Sequence, residues 1–121
     1  MDDSILISTK KILGLGEAYT PFDPDIITHI NAIFSTLNQI GIGPIEGFFI
    51  VDETAVWTDF DVSSVQINMI KTYSYLKVRS LFDPPTTGFL IEATNKQIQE
   101  YEWRLSTFRE EEVIAATEVI L

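Results

Sequence analysis

The residues best suited to acid–base or metal chemistry are the single histidine, His29, and two aspartate pairs, Asp23 with Asp25 and Asp59 with Asp61. A general base needs partners that orient it, whereas His29 stands beside the apolar stripe of a predicted helix. Each aspartate pair lies close to a predicted helix start, and neither matches a calcium loop, which spaces about five oxygen ligands over about twelve residues. We therefore predict no catalytic residue, no metal site and no cofactor.

Two further motifs have a plain structural interpretation. Gly14-Leu15-Gly16 lacks the third glycine and the strand–helix context of a phosphate loop, so it is predicted to end a helix. Trp57, Tyr101 and Trp103 could stack on nucleotide bases. Because no cations cluster around them in the sequence, core packing or a protein interface is favoured.

The charge balance argues against binding to nucleic acids or anionic membranes. The chain has 121 residues, 45% of them apolar, which suits one domain with its own core. It carries 8 Lys or Arg against 18 Asp or Glu, a net charge of −10, whereas phosphate binding needs clustered cations. The absence of cysteine excludes disulfides and thiolate zinc sites and fits a reducing cytoplasm. The acidic start is unlike a secretory signal, and no apolar run is long enough to cross a bilayer.

Helical periodicity predicts a mainly α fold, with about four helices in a small bundle over residues 1–109. The first helix spans about 4–15 and the second about 23–40, with Asp23 as N-cap and Pro24 after it. The third runs from 61–64 to 82, and the fourth from 86 or 87 to about 108. The third is predicted to bury Val65, Met69, Ile70, Tyr73, Leu76, Leu81 and Phe82, and the fourth Leu90, Ala93, Ile98, Tyr101, Leu105 and Phe108.

Residues 47–60 break the helical pattern and predict a β-hairpin inserted between the second and third helices. Residues 48–51 and 54–58 are rich in aromatic and β-branched types, with a turn at 52–53. A lone hairpin is marginal in water, so it must lie on the helices or pair with another chain.

The second helix also has a polar face without charges, which would suit a contact with a neighbouring subunit as well as a plain polar surface. From this face and the hairpin we predict a subunit interface made of Asn31, Ser35, Asn38, Phe48, Ile50 and Trp57.

Residues 110–121 form a predicted C-terminal tail, extended and ordered only in an assembly. Three glutamates at 110–112 are unfavourable at a helix C-terminus, so the fourth helix should end there. Seven of the nine residues from 113 to 121 are apolar and would be an aggregation hazard if left in water. The alternatives are a disordered end and a segment that binds another chain. For the second we predict that Val113, Ile114, Val119, Ile120 and Leu121 contact the other chain.

Several stretches resemble head-tail connector (adaptor, or head-completion) proteins of tailed phages and prophages of Gram-positive bacteria. They are IKTYSYLKVRSLFDPP at 70–85, KQIQEYEWRL at 96–105, DSIL at 3–6, ILGL at 12–15, GIGP at 41–44 and GF at 47–48. Their order and spacing agree over residues 1 to about 108, and the tail lies outside the resemblance.

The resemblance implies a structural protein without enzymatic activity. Such proteins form a ring, typically a dodecamer, under the portal at the neck of the virion. They extend the DNA channel without gripping DNA and present a surface to a stopper or tail-completion protein. Synthesis in the cytoplasm of the bacterial host is expected, with no membrane partner. We expect copies of this chain to contact one another, the portal and the next neck protein. The tail residues predicted to contact another chain, Val113, Ile114, Val119, Ile120 and Leu121, are then expected to bind the portal or an adjacent subunit.

A different class remains open at this point: an acidic protein that mimics DNA and inhibits a nuclease or a repressor. The net charge of −10 permits it. Such a mimic should carry regularly spaced surface carboxylates, whereas many acids here stand at caps, turns and the tail. A small enzyme would need a metal or cofactor for which the sequence shows no site.

Overall fold

The computed structural model describes residues 4–60 and 62–120, with only the backbone for 112, 113 and 115–120. Over this part of the chain four α-helices follow one another: α1 (Ile5–Ile12), α2 (Asp23–Ile40), α3 (Ser64–Phe82) and α4 (Gly88–Ile120). A short 3₁₀ helix, Trp57–Phe60, lies between α2 and α3. The prediction of a mainly helical chain with four helices is confirmed.

Side-chain caps begin α1 and α3. The Ser4 hydroxyl accepts a hydrogen bond from the Ile7 N–H at 3.3 Å, and the Ser63 hydroxyl accepts one from the Gln66 N–H at 3.3 Å. The predicted cap of α2 is wrong, because Asp23 is already the first helical residue and Phe22, before it, makes no capping bond. The Asp23 carboxylate is instead an ion-pair partner in the interior.

The core lies where α1, α2 and the 3₁₀ helix pack on α3. Its centre is an aromatic cluster in which the Phe34 ring lies 5.0 Å from Phe60, 5.8 Å from Phe48 and 6.1 Å from Trp57 between ring centroids. The Trp57 indole N–H donates to the Ser8 hydroxyl at 3.0 Å, so its polar atom is satisfied within the core. Aromatic burial of this extent accounts for a stable small domain.

The buried side of α3 is partly different from the predicted one. Ile70 and Tyr73 are buried as predicted, but Val65 and Leu81 are exposed. Their places are taken by residues of small or polar type, namely Gln66, Ser74 and Val78. Because α3 contacts α1, α2 and α4, small and amide side chains allow those helices to approach closely.

The predicted β-hairpin is wrong. Within residues 4–60 and 62–120 there is no strand, and the pairing is limited to one isolated bridge between Ser4 and Val56. Residues 47–50 have no regular structure, and Trp57–Phe60 is a 3₁₀ helix. The aromatic residues of this segment fill the core instead of forming a ladder. Its backbone is held by other elements, for example by a hydrogen bond from the Ile5 N–H to the Ala55 carbonyl at 3.0 Å.

The predicted end of the fourth helix near residue 108 and the extended tail are also wrong, because α4 continues to Ile120. The three glutamates at 110–112 therefore stand well before the end of the helix. The unfavourable dipole effect on acids is confined to about the last turn, so it does not apply to them. Leu121 lies outside the described residues.

Candidate assembly surfaces

Two of the predicted interface residues on α2 are engaged inside the protomer. The Asn31 side chain forms a two-way bridge to the backbone of Ile50: its amide donates to the carbonyl at 2.9 Å and its oxygen accepts from the N–H at 2.8 Å. The Asn38 amide donates to the carbonyls of Pro44 at 3.2 Å and Ile45 at 3.3 Å. Both asparagines therefore fix the chain that follows α2.

Ser35, the third predicted interface residue on α2, is exposed. It remains available to a neighbouring molecule.

The predicted interface residues in segment 47–60, where a hairpin was predicted, face the core. Ile50 and Trp57 are buried, and Phe48 is half-buried against Phe34 and Phe60. Each thus has a role within the protomer. A contact of these residues with another subunit stays a prediction.

The same segment exposes an apolar surface that the sequence interpretation did not single out. Ile45 is 97% exposed and Val51 83% exposed, and Phe49 between them is also exposed. Phe48 and Ile50 alternate with Phe49 and Val51, so inward and outward positions follow each other along the chain. We call Ile45, Phe49 and Val51 the loop patch. The sequence alone does not separate the inward from the outward residues, because all four positions from 48 to 51 are apolar.

Helix α4 also carries large apolar side chains that meet solvent. Phe89 and Leu90 in its first turns, Trp103 near its middle and Ile114 in the predicted tail are exposed. Ile114 is the member of the predicted binding set whose side chain the structure describes. The side chains of Val113, Val119 and Ile120, and all of Leu121, lie outside the described set. A run of exposed apolar residues on one helix is typical of a contact surface.

Two polar contacts hold the elements that carry these surfaces. The Lys10 ammonium is buried, forms an ion pair with Asp23 at 3.0 Å and donates to the Glu17 carbonyl at 2.9 Å. The Tyr73 hydroxyl of α3 donates to the Glu102 carboxylate of α4 at 2.8 Å. Burial raises the pKa of Tyr73 above its usual value, and the hydrogen bond to Glu102 raises it further. The first contact fixes α1 to α2, and the second fixes α4 to α3.

No group of three or more histidine and acidic side chains that could hold a metal ion occurs among the described residues. His29 is half-buried on α2. The Asp59 carboxylate accepts from the Val56 N–H at 3.0 Å, a local structural role, and Asp61 lies outside the description. An open hollow of about 610 Å³ lies between the end of α2 with the loop after it, the start of α3, and α4; among the described residues that line it, Arg109 is the charged one. In the part of the chain that is described, no helix is both long and apolar enough to cross a membrane.

Exposed apolar surfaces are typical of proteins that bind other proteins. The phage connector protein family matches this chain over residues 5–112, which include α1, α2 and α3 and most of α4. The chain belongs to this family. Comparison with curated proteins and with solved structures finds no match. The family is structural and not enzymatic, and its place is the head–tail connector at the neck of the virion, in contact with portal and head–tail components.

Proposed function

We propose that copies of this chain form a ring, of dodecameric size, that docks on the portal, extends the DNA channel and joins the head to a stopper or tail-completion protein. The observation that carries the proposal is the match to the connector family over residues 5–112. The two separate apolar surfaces, the loop patch and the exposed residues of α4, support it. A ring subunit needs different surfaces for its different neighbours.

The loop patch is the proposed contact between consecutive subunits. Asn31 and Asn38 hold the backbone on either side of it, so its exposed side chains are presented in a fixed arrangement. A preorganised apolar patch binds a neighbour at a lower entropic cost than a mobile loop does. Ser35, exposed on α2, lies on the same helix as the two asparagines and is the predicted polar member of this contact.

The C-terminal end of α4 is the proposed contact with the portal. Ile114 is exposed there, and residues 113–120 of the sequence continue with mostly apolar types. Burying such a helix end on a partner removes apolar area from water at about 25 cal/mol per Å².

The net charge of −10 on each copy suits a channel through which DNA slides without adhering. Carboxylates facing the channel would repel phosphate. A reconstruction of the ring that shows its acids on the outer wall would contradict this part of the proposal.

Electron microscopy of particles made with and without this protein tests the ring. Particles with the protein should show a ring of density below the portal, and particles without it should keep the portal and lose that layer. An unchanged neck would overturn the proposal.

Deleting residues 113–121 tests the portal contact. The buried residues of α4, Ile98 and Leu105, precede the deletion, so the circular dichroism of the shortened protein should still show a folded domain. Its binding to portal-bearing capsids should be lost.

A finer test is Ile114→Asp, with Val65→Asp on α3 as the matched control, because the two side chains are 58% and 59% exposed. Ile114→Asp should weaken capsid binding and Val65→Asp should not. Equal binding of both variants would contradict a portal contact at this end of α4.

A further inference from the structure

The outward side of α4 carries a row of exposed residues that repeats every seven positions. Phe89, Lys96, Trp103 and Glu110 are spaced by seven, and Phe89 is 79% and Trp103 67% exposed. At 3.6 residues per turn, Phe89 stands about 180° around the helix from the buried Ile98. This row therefore faces away from the domain core.

A second row runs beside the first, four residues later. It consists of Ala93, Glu100, Thr107 and Ile114. Alternating steps of four and three residues are the pattern that one helix presents to another in a coiled coil. We call the two rows together the outer seam of α4. Its length from Ala93 to Ile114 is about 31 Å at 1.5 Å per residue.

The charges of the outer seam decide how a second copy of α4 can lie on it. In a parallel pair each residue meets its own counterpart, so Lys96 would face Lys96, and Glu100 and Glu110 would each face a like charge. In an antiparallel pair with Trp103 at the two-fold axis, Lys96 faces Glu110 of the other copy. Within the described residues Lys96 has no ion-pair partner in its own protomer.

The rest of the seam fits the same antiparallel register. Ala93 of one copy lies within one residue, about 1.5 Å along the helix, of the position opposite Ile114 of the other, so two apolar positions meet. Glu100 likewise lies within one residue of the position opposite Thr107, so no carboxylate of the seam faces another. Each of these contacts occurs twice because of the two-fold symmetry. The pairing covers Trp103 and Ile114, which are exposed in the single chain.

We propose that the free protein is a two-fold dimer in which the outer seams of two α4 helices pair antiparallel about Trp103. A two-fold contact uses the same surface on both partners and closes after two copies, whereas a ring needs a heterologous contact. The dimer is thus distinct from the ring. It covers Ile114, the proposed portal contact, until the subunit docks.

Sedimentation equilibrium of the full chain at tens of micromolar tests the dimer. The expected mass is about twice the 13.7 kDa of one chain. Lys96→Glu and Glu110→Lys should each raise the dissociation constant by about tenfold or more, because two attractive pairs become repulsive. The double variant K96E/E110K exchanges the charges and should restore the dimer.

Lys11→Glu, which makes the same charge change at an exposed lysine of α1, is the matched control and should stay dimeric. Since the chain has no cysteine, Trp103→Cys alone should give a disulfide-linked dimer under mild oxidation.

A wild-type mass of one chain at every concentration would overturn the proposal, and so would a double variant that stays dissociated. If α4 binds portal protein but the chain does not self-associate, the partner of the outer seam is a portal helix. That result would also overturn the proposal. The result is independent of the proposed ring, which is judged from the neck density of assembled particles and not from the mass of the free protein.

Discussion

The first three helices and α4 use their apolar residues in different ways. Residues 5–82 contribute most of the buried side chains, including the cluster of Phe34, Trp57 and Phe60. In α4, a helix of 33 residues, the fully buried apolar side chains among those described are Ile98 and Leu105. The first region therefore supplies most of the core, whereas α4 contributes few of its described apolar side chains to it.

The two tryptophans test this difference most directly. Trp57 is 2% exposed and packs on Phe34 and Tyr75, so Trp57→Ala should lower the free energy of unfolding by about 3–5 kcal/mol. Trp103 is exposed on α4, and Trp103→Ala should change it by less than about 0.5 kcal/mol. Urea denaturation followed by far-UV circular dichroism measures both. Because pairing of the outer seams would add concentration-dependent stability, the two variants are compared at a concentration where the protein is monomeric.

Similar losses for the two variants would mean that α4 belongs to the core as fully as α3 does. That result would remove the contrast between the two regions.

The sequence predicts the helices well because their limits depend on local chemistry. Ser4 and Ser63 cap helices through their own hydroxyls, and Gly41, at a φ of 96°, ends α2 where the glycine run predicts. The segment after α2 could not be predicted in the same way. Aromatic and β-branched residues suit a strand and an irregular segment packed in the core equally well. In this protein tertiary packing places them in the core. The burial of Lys10 is not predicted either. Its ion pair with Asp23 joins α1 to α2, and no local sequence pattern shows that these two helices lie close together.

A glycine in the segment after α2 tests how the backbone there packs against the core. Gly43 has a φ of 87°, and a Cβ on it would stand 2.5 Å from the Cε1 atom of the Phe60 ring. Gly43→Ala combines backbone strain with a clash against the aromatic cluster and should cost about 2–4 kcal/mol in urea denaturation. Gly14→Ala is the control: its φ is 79° but no heavy atom lies within 4 Å, so about 1 kcal/mol is expected. Equal costs would show that the ring of Phe60 moves aside freely.

The candidate surfaces were predictable as regions but not as residues. The sequence predicts contact surfaces on α2, in residues 47–60 and at the C-terminal end. All three regions carry or adjoin exposed apolar side chains. It cannot tell Phe48 from Phe49, because a shift of one residue exchanges the inward and outward sides. The bridge from Asn31 to the backbone of Ile50 sets that choice, and it joins residues 19 positions apart.

Removing this bridge should release the loop patch without unfolding the domain. Asn31→Ala deletes two hydrogen bonds and leaves the Ile50 N–H and carbonyl without these partners, at a cost of about 1–3 kcal/mol. Hydrogen exchange of the Ile50 amide should speed up strongly, while the amides of α3 change little. Ser35→Ala, on the exposed side of the same helix, should leave the exchange of Ile50 as it is. Unchanged protection in Asn31→Ala would mean that aromatic packing alone orders the segment.

The contact between the two regions that depends on pH is the hydrogen bond from Tyr73 to Glu102, at 2.8 Å. Burial and the carboxylate raise the pKa of Tyr73 in the folded protein, so the unfolded chain loses this proton first as the pH rises past about 10. The stability of the wild-type protein relative to Tyr73→Phe should therefore be constant at lower pH and fall above pH 10, by up to about 1.4 kcal/mol per pH unit. Glu102→Gln keeps an acceptor but removes the charge, so the pKa of Tyr73 is raised less and the fall should level off at a lower pH. Urea denaturation between pH 8 and about 11 measures the three proteins, and parallel curves would show that α4 does not shield Tyr73 from water.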